Sequence, residues 1–401
     1  MDRVAGLDVH KDSIFCCVKR GRYQSAVKVF STTTQGLKEL YHFLHGEPVV
    51  KVAMESTGIY WMPVWRALEQ DFTLLLVNPY FIKQMPGRKS DVQDAVWIAT
   101  LLDKKLLKSS LVPEKEIRIL REYLRRYVHL QGQMTRVIQQ LERRLSQCNI
   151  KICSLTSKIN NNSVIKVVRS IIAGQSSSQE LTSLVHKRTV NRHGQELIEQ
   201  SLDGIIEQHD RFFLGQIMQE YDLINAQCEE LLAQAEQLAD QNYKAHIERL
   251  CTIPGISKLA AVIVFCEIGG DISKFASAEN LVGWAGMRPK NDESAGKIKT
   301  TRIGKGNRYL RRILVQSAWA ASRTKGCYLK SKFEKLSLRK SRKKALIAIA
   351  RKELVLVWNI LSKQEDYKEP KITLSPQQAQ RKKSYYQAKL NQIEQQLEKV
   401  G

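Results

Sequence analysis

Short apolar runs and segments of helical spacing alternate over the first 108 residues. Apolar runs predict strands at residues 4–9, 14–19, 26–30, 49–54 and 73–77, with Gly21 in the turn between the second and the third. Apolar positions three and four residues apart predict helices at residues 34–44, 60–70 and 90–102, the last with Ser90 as its N-cap. This alternation predicts an α/β domain at the start of the chain.

The middle of the chain carries two heptad patterns, each with apolar side chains alternately three and four positions apart. The first comprises Ile117, Leu120, Leu124, Tyr127, Met134, Ile138, Leu141 and Leu145, with Gln131 as its one polar step. The second comprises Leu214, Ile217, Tyr221, Ile224, Cys228, Leu231, Ala235 and Leu238. They predict two long helices that form either an antiparallel hairpin within one chain or pairs between protomers. Residues 150–210 are rich in Ser and Asn and are expected to be less regular.

These patterns divide the chain into four parts. Residues 1–108 have the element order of an RNase H-like α/β fold, and residues 109–245 form a helical coiled-coil region. Residues 246–365 are mainly helical, and residues 366–401 form a charged tail. Pro254-Gly255 separates two helical segments in the manner of a helix-hairpin-helix, in which a helix N-terminus can bind phosphate. An ordinary Pro-Gly turn is the alternative.

The chain is strongly basic, with 64 Lys and Arg against 40 Asp and Glu and a net charge of +24. This excess indicates an acidic partner, nucleic acid before a membrane surface. No apolar run has the length of a membrane-spanning helix, and the N-terminus lacks the pattern of a signal peptide. The eight cysteines form no CxxC or zinc-binding spacing. We therefore expect a reduced, cytoplasmic protein without structural zinc.

Four carboxylates lie at the ends of predicted elements: Asp8, Glu55, Asp91 and Asp94. The first two are at the ends of strands expected to be neighbours, and the other two share one face at a helix start, where their charges repel unless a cation lies between them. Oxygen ligands of this kind suit Mg²⁺ or Mn²⁺. Taken singly, each acid could be a cap or a solvated charge; together they predict two-metal chemistry on a polyanion. His10 and Asp12 are expected to be surface residues.

A second candidate is Ser294, although a serine in a Gly-containing loop is usually a turn former. It precedes a very basic segment: residues 297–344 hold seventeen Lys and Arg and one acid, Glu334. A solvated basic face could explain any single residue of this run. The run as a whole predicts contacts with a phosphate backbone, with these candidates: Lys297, Lys299, Arg302, Lys305, Arg308, Arg311 and Arg312.

Motifs that contain these residues carry a resemblance to a known family. GLDVHKD, MESTGIYW, NPY and KSDVQDA are followed by IPGI, LVGWAGMRPK, ESAGK and GKGNRYLRR. In this order they resemble the DEDD-type insertion-sequence transposases of the IS one-ten (IS110) family, which is related to Piv-type DNA invertases. The resemblance covers residues 1–108 and about 245–360.

The resemblance implies a RuvC-like N-terminal domain and a C-terminal transposase domain with a nucleophilic serine. The metal ligands would be Asp8, Glu55, Asp91 and Asp94, and the serine would be Ser294. Ser294 would attack a DNA phosphate to form a phosphoserine intermediate, which requires the metal-bearing domain to come close, from the same or another protomer. The resemblance also implies a structured guide RNA, a homo-oligomer (dimer or tetramer) assembled through the coiled coil, and a bacterial or archaeal, nucleoid-associated location.

Three other functions share part of this evidence. A Piv-type site-specific invertase has all of these residues. A RuvC-like nuclease or junction resolvase needs the four acids but neither Ser294 nor the basic C-terminal segment. The third is a coiled-coil nucleic-acid-binding protein without catalysis, in which the acids only cap helices.

Overall fold

The computed structural model describes residues 3–56, 58–78, 91–289, 292–294, 297–300, 302–370 and 376–398. The chain divides into two units, Met1–Pro113 and Glu114–Gly401. The predicted N-cap Ser90 lies outside the described residues. The division into residues 1–108, 109–245, 246–365 and 366–401 stays a prediction.

The first unit is an α/β domain, as predicted. Its strands are β1 (Arg3–Val9), β2 (Ser13–Arg20), β3 (Tyr23–Gln24), β4 (Lys28–Ser31), β5 (Val49–Ser56) and β6 (Thr73–Val77). Its helices are α1 (Thr34–Gly46), α2 (Trp61–Leu68) and α3 (Asp91–Asp103). The short strand β3 was not predicted; two exposed residues carry no alternation that could reveal it.

One mixed sheet organises this unit. β1 lies between β2, to which it is antiparallel, and β5, to which it is parallel; β6 continues the sheet parallel to β5. On its other edge β2 pairs with β3 and β4 at successive positions. The order of strands and helices along the chain is thus the one predicted for an RNase H-like domain.

Alternating side chains of β1 face two different layers of helix. Ala5, Leu7 and Val9 pack in a core with the buried residues of α1 and α2. Val4, two positions from Gly6, packs instead with Ile98 of α3. The sheet is therefore covered on both faces, and the even-numbered residues of β1 face α3.

The second unit is mainly helical. Its helices are α4 (Lys115–Gln147), α5 (Ile152–Leu155), α6 (Asn162–Ile172), α7 (Ser178–Ser183), α8 (Lys187–His193), α9 (Gln195–Leu202), α10 (Gln208–Cys251), α11 (Lys258–Ile268), α12 (Ala278–Trp284), α13 (Arg308–Ala321), α14 (Tyr328–Ser337), α15 (Arg342–Lys363) and α16 (Pro376–Glu398). A 3₁₀ turn, Ile272–Lys274, and a hairpin of β7 (Asp292–Ser294) and β8 (Lys297–Thr300) complete it. No helix among the described residues is long and apolar enough to span a membrane.

The two predicted long helices, α4 and α10, pair with each other in antiparallel orientation. Arg144 near the end of α4 lies 3.1 Å from Asp210 at the start of α10, whereas Gln131, earlier in α4, donates to Cys228, later in α10. Of the two arrangements left open by the heptad patterns, the chain therefore adopts the intramolecular one. Supercoiling of the pair and assembly between protomers stay predictions.

The segment between these helices is more regular than expected. It forms the five short helices α5–α9, whose apolar residues share a core with Leu141 and Leu145 of α4 and Leu214 of α10. Four of these helices have eight residues or fewer, too few turns for an apolar period to show in the sequence, whereas α6 has such a period at Val164, Val167, Val168 and Ile171. Two adjacent backbone bonds hold the ends of the segment together: Lys151 N–H donates to Ser201, and Ile205 N–H donates to Cys148.

The Pro254-Gly255 turn joins α10 to α11, as predicted, but it packs against another helix. Gly255 has a φ of +93°, and a Cβ there would lie 2.4 Å from the carbonyl oxygen of Ser317 in α13. Because Ser257 caps α11 through the N–H of Ala260, that helix start already has a partner. The turn therefore has a packing role, and phosphate binding at this helix start stays a prediction.

One buried acid in this unit stands without a charge partner among the described residues. Glu353 in α15 has 0% exposure, and neither carboxylate oxygen has a hydrogen-bond partner in the described part of the chain. Desolvation raises the pKa of Glu353 well above the usual value for a glutamate. Folding therefore favours the protonated acid.

We predict that Glu353→Gln removes a pH-dependent loss of stability. Folding raises the pKa of Glu353. Its contribution to the free energy of unfolding is therefore fully present below the ordinary glutamate pKa and is lost as pH rises through the folded-state pKa. At about pH 8 the variant should gain roughly 1–3 kcal/mol in the free energy of unfolding, a gain that shrinks toward about pH 4.3. Urea unfolding at several pH values measures this, with the exposed Glu334→Gln as control. A gain independent of pH would contradict the assignment.

Candidate active site

Two of the four predicted carboxylates are brought together by strand pairing. In the parallel register of β1 and β5, Asp8 lies directly opposite Glu55. Asp8 is nearly buried, with 7% exposure, and Glu55 is half-buried. The predicted neighbourhood of these two residues is therefore a consequence of sheet register.

Helix α3 lies across the same part of the sheet. A Cβ on Gly6 would lie 2.3 Å from the backbone N of Ala99 and 2.4 Å from the carbonyl oxygen of Ala95, so the helix backbone rests directly on β1. Only glycine permits this approach.

The direction of α3 places its first turn at the carboxylate end of the sheet. Val4 packs with Leu102 near the end of the helix, while Gly6 meets Ala95 and Ala99 earlier in it. Moving along β1 toward Asp8 therefore moves along α3 toward its N-terminus, where Asp91 is the first residue and half-buried Asp94 follows one turn later. Asp8 shares the face of β1 that carries Val4 and Gly6.

The carboxylate oxygens at this end of the sheet fit a hard divalent cation better than zinc, which favours His and Cys. No three His, Cys, Asp or Glu side chains in the described part of the chain form a ready-made metal cluster. The side chain of Asp91 lies outside that part. A cation bound by Asp8, Glu55 and Asp94 would offset their mutual repulsion as they approach.

His10 lies at the surface, as expected, with 42% of its side chain exposed, and it also contacts Asp8. Its Nε2 lies 3.1 Å from Oδ2 of Asp8, and its ring meets the edge of Phe15 at 5.9 Å between centroids. His10 is two residues beyond Asp8, a spacing that keeps both on the same side of an extended chain. That spacing was the available signal. The contact restrains the Asp8 carboxylate.

Ser294 lies in the second unit, at the end of β7. Its backbone pairs with Lys297 in the β7–β8 hairpin, and a bridge between Pro289 and Ile303 closes the hairpin at its base. The side chains of Ser294, Lys297 and Lys299 are outside the described ones.

The candidate phosphate-binding side chains separate into two groups. Arg302, Lys305, Arg308 and Arg312 are exposed. Arg311 is half-buried and donates from Nη2 to the carbonyl oxygens of Gly304 at 2.6 Å and Gly286 at 3.3 Å. This gives Arg311 a structural role that the charge pattern did not reveal; phosphate binding by the other four stays a prediction.

Sequence reasoning also missed Glu267, a single acid in the apolar sequence KLAAVIVFCEI of α11. It has 1% exposure and accepts from Nε and Nη2 of Arg125, both at 2.8 Å, and from Nδ2 of Asn307 at 2.5 Å. Burial alone would raise the pKa of Glu267, but the bonds from Arg125 and Asn307 and the nearby Arg121 lower it. An acid within a buried helix was the signal for such a network.

Two family profiles match this chain. A family profile described as "Transposase IS116/IS110/IS902 family" matches residues 247–334, and one named for the DEDD transposases of IS110 and described as "Transposase" matches residues 5–150. Together they cover more than half of the chain, including all five candidate catalytic residues. The chain belongs to the IS110 family of transposases.

Individual relatives of this IS110-family chain match to different extents. The transposase for insertion sequence element IS1111A of Coxiella burnetii is 30% identical over 162 residues, 36% of this chain and 43% of that protein. The insertion element IS900 uncharacterized 42 kDa protein of Mycobacterium paratuberculosis is 31% identical over 122 residues, 29% of each. The chain thus spans less than half the length of these two relatives. The pilin gene-inverting protein of Moraxella lacunata is 25% identical over 373 residues, 89% of this chain and 94% of that one.

A solved structure, T. thermophilus RuvC in complex with a Holliday junction substrate, matches at 16% identity with a TM-score of 0.22. It covers 27% of this chain and 100% of RuvC. A TM-score this low does not establish a shared fold, so the fold of the IS110-family N-terminal unit rests on its own strand order.

We predict that Gly6→Ala displaces α3 from β1. The added Cβ would overlap backbone atoms of Ala95 and Ala99, which cannot rotate away, so the variant should lose roughly 1–3 kcal/mol of unfolding free energy. Gly46→Ala is the matched control, because a Cβ at Gly46 meets nothing within 4 Å among the described atoms. Urea unfolding compares the two variants. Equal stability of both would show that α3 does not rest on β1.

Proposed function

We propose that this chain is a DNA transposase that cuts and rejoins element and target DNA. The observation that carries the proposal is the register of Asp8 with Glu55 beneath the helix that begins with Asp91 and contains Asp94. Acids gathered at one sheet end, in a chain of net charge +24, suit a site for divalent metal and a polyanion.

The four acids would hold Mg²⁺, or Mn²⁺ in its place. The metal would supply activation of an attacking oxygen and stabilisation of a leaving oxygen on a phosphodiester. Asp8 and Glu55 lie opposite each other in the strand register, which supports their proposed role as two of the four ligands. His10 would restrain Asp8 through the 3.1 Å contact, so that this carboxylate keeps one orientation.

Ser294 is proposed as the nucleophile. Its hydroxyl oxygen attacks a DNA phosphorus, one phosphorus–oxygen bond of the strand breaks, and a phosphoserine forms. The serine proton passes to a base, and the released sugar oxygen takes up a proton. Because the phosphoserine keeps the phosphodiester's bond energy, attack by another DNA end can reseal the strand without an external energy source. A serine hydroxyl is a weak nucleophile at neutral pH, so it needs a base that takes up its proton.

The basic segment would bind the phosphate backbone of the nucleic acid. The exposed side chains of Arg302, Lys305, Arg308 and Arg312 support this role. A structured guide RNA would then read the DNA sequence by base pairing while the protein binds backbone, and a dimer or tetramer would hold the DNA ends together. The guide and the oligomer follow from the family resemblance.

Site-specific inversion is the second candidate. The relative that this chain matches over the greatest share of both proteins, among those compared above, is the pilin gene-inverting protein, at 89% and 94%. Inversion and transposition use the same cutting and rejoining steps but differ in the DNA sites that are joined.

The proposal predicts a covalent protein–DNA adduct that needs Ser294. Protein, Mg²⁺, labelled DNA with the element's ends and the flanking RNA are incubated and resolved under denaturing conditions. Ser294→Ala should abolish the adduct, and Asp8→Asn should lower its rate by at least about 100-fold while DNA binding persists. Ser341→Ala, a serine exposed within the same basic segment, is the control.

Each alternative gives a different result in this experiment. Cleaved DNA without an adduct indicates a RuvC-like nuclease in which Ser294 is an ordinary loop residue. DNA binding without strand breakage, in both the wild type and Asp8→Asn, indicates a binding protein. Products with the intervening DNA reversed identify an invertase.

We also predict that Arg312 and Arg311 differ in their effect on DNA affinity. If exposed Arg312 contacts a phosphate, Arg312→Ala should make the slope of log affinity against log salt shallower by about 0.9. Arg311→Ala should leave the slope unchanged but lower the unfolding free energy by roughly 1–3 kcal/mol, because it removes the donor to Gly286 and Gly304. Salt-dependent binding and urea unfolding test both. A change in slope for Arg311→Ala would reassign it to the nucleic acid.

A further inference from the structure

The hairpin that carries Ser294 is held at its base by direct backbone contact. A Cβ on Gly306 would lie 2.2 Å from the carbonyl oxygen of Ala285, and one on Gly286 would lie 2.7 Å from that of Lys305. The chain entering the hairpin and the chain leaving it therefore touch without intervening side chains. Gly286 also has a φ of +66°, a conformation that favours glycine.

Two side chains connect this base to the helices. Arg311 of α13 donates to one carbonyl oxygen on each side of the hairpin, Gly286 and Gly304. Asn307, directly after the second side, caps α13 by accepting from the N–H groups of Tyr309 at 3.0 Å and Leu310 at 3.1 Å. Arg311 and Asn307 thus hold the base of the hairpin to the start of α13.

Glu267 of α11 connects Asn307 to the buried part of this unit. Its Oε2 accepts from Nδ2 of Asn307 at 2.5 Å, and its carboxylate accepts both bonds of the Arg125 fork from α4. Arg121 of α4 donates at 2.6 Å and 2.8 Å to the backbone carbonyl oxygens of Cys266 and Glu267. A buried, doubly held carboxylate is a rigid anchor, because moving it would break charge-assisted hydrogen bonds in a dry environment.

We propose that Glu267, acting through Asn307, positions the Ser294 hairpin for attack on DNA. This inference rests on the proposed role of Ser294. Glu267 and Asn307 are positioning residues: neither needs to touch the DNA. Attack by an oxygen nucleophile is sensitive to placement, and a displacement of about 1 Å can reduce the rate about 100-fold.

The chain offers a variant that breaks only this link. Asn307→Ser keeps an oxygen that can cap α13 but loses the amide that donates to Glu267. The Arg125–Glu267 pair stays in place, so no buried charge loses its main partner. Asn161→Ser is the matched control, because Asn161 caps α6 through the N–H of Val164 in the same unit.

We expect Asn307→Ser to slow single-turnover adduct formation about 10- to 100-fold with DNA affinity within about twofold of the wild type. Backbone amides of the hairpin strands β7 and β8 should exchange with deuterium about tenfold faster, while those of α4 and α10 keep their rates. Asn161→Ser should alter neither measurement at the hairpin. Asn307→Asp, which keeps the cap and the volume but sets a second carboxylate against Glu267, should act in the same direction if Asn307→Ser folds poorly.

The outcomes separate this inference from the proposed function. Unchanged adduct rate and unchanged hairpin exchange in both Asn307 variants overturn the positioning role. Faster exchange with an unchanged adduct rate also overturns it, because the anchor would then hold the hairpin without affecting attack. If Ser294→Ala itself still forms the adduct, the proposed nucleophile is wrong, whatever the Asn307 variants do.

Discussion

The N-terminal site depends on one steric condition: residue 6 has no side chain. Because Gly6 lets the backbone of α3 rest on β1, the helix lies close enough for its first turn to reach the end of the sheet where Asp8 and Glu55 are paired. A larger residue would hold the helix away from the sheet by the thickness of a side chain. Backbone packing thus brings the start of α3, which carries Asp91 and Asp94, toward the strand ends that carry Asp8 and Glu55.

The sequence predicted most of the N-terminal fold because each strand and helix there has a clear apolar period. It also predicted that Asp8 and Glu55 lie on neighbouring strand ends, as the register shows, whereas a shared site of all four acids stays a prediction. It missed the pairs that depend on tertiary approach. Asn307 and Glu267 are 40 positions apart, and nothing local to either residue specifies the other. The arginine pattern likewise could not distinguish exposed Arg312 from Arg311, whose partners are two backbone carbonyl groups.

Two buried glutamates in the second unit are accommodated in opposite ways. Glu267 stays ionised because Arg125 and Asn307 donate to its oxygens, so its desolvation is compensated by charge-assisted bonds. Glu353 has no such donors among the described residues, and burial shifts it toward the neutral acid. The first arrangement gives orientation, because its bonds are directional. The Glu353 side chain only fills space in the core, and the stability lost by burying it depends on pH.

The backbone bonds from Lys151 to Ser201 and from Ile205 to Cys148 close the segment of α5–α9 at its neck. The two ends of the segment lie side by side where α4 ends and α10 is about to begin, so the long helices need not change if what lies between does. Because these two bonds hold its ends together, the segment of α5–α9 can absorb insertions and deletions. One family profile ends at residue 150, just before α5, and the other begins at residue 247, within the last turns of α10. Changes in the length of the α5–α9 segment can therefore be absorbed without displacing the candidate catalytic residues, which all lie within the two matched ranges.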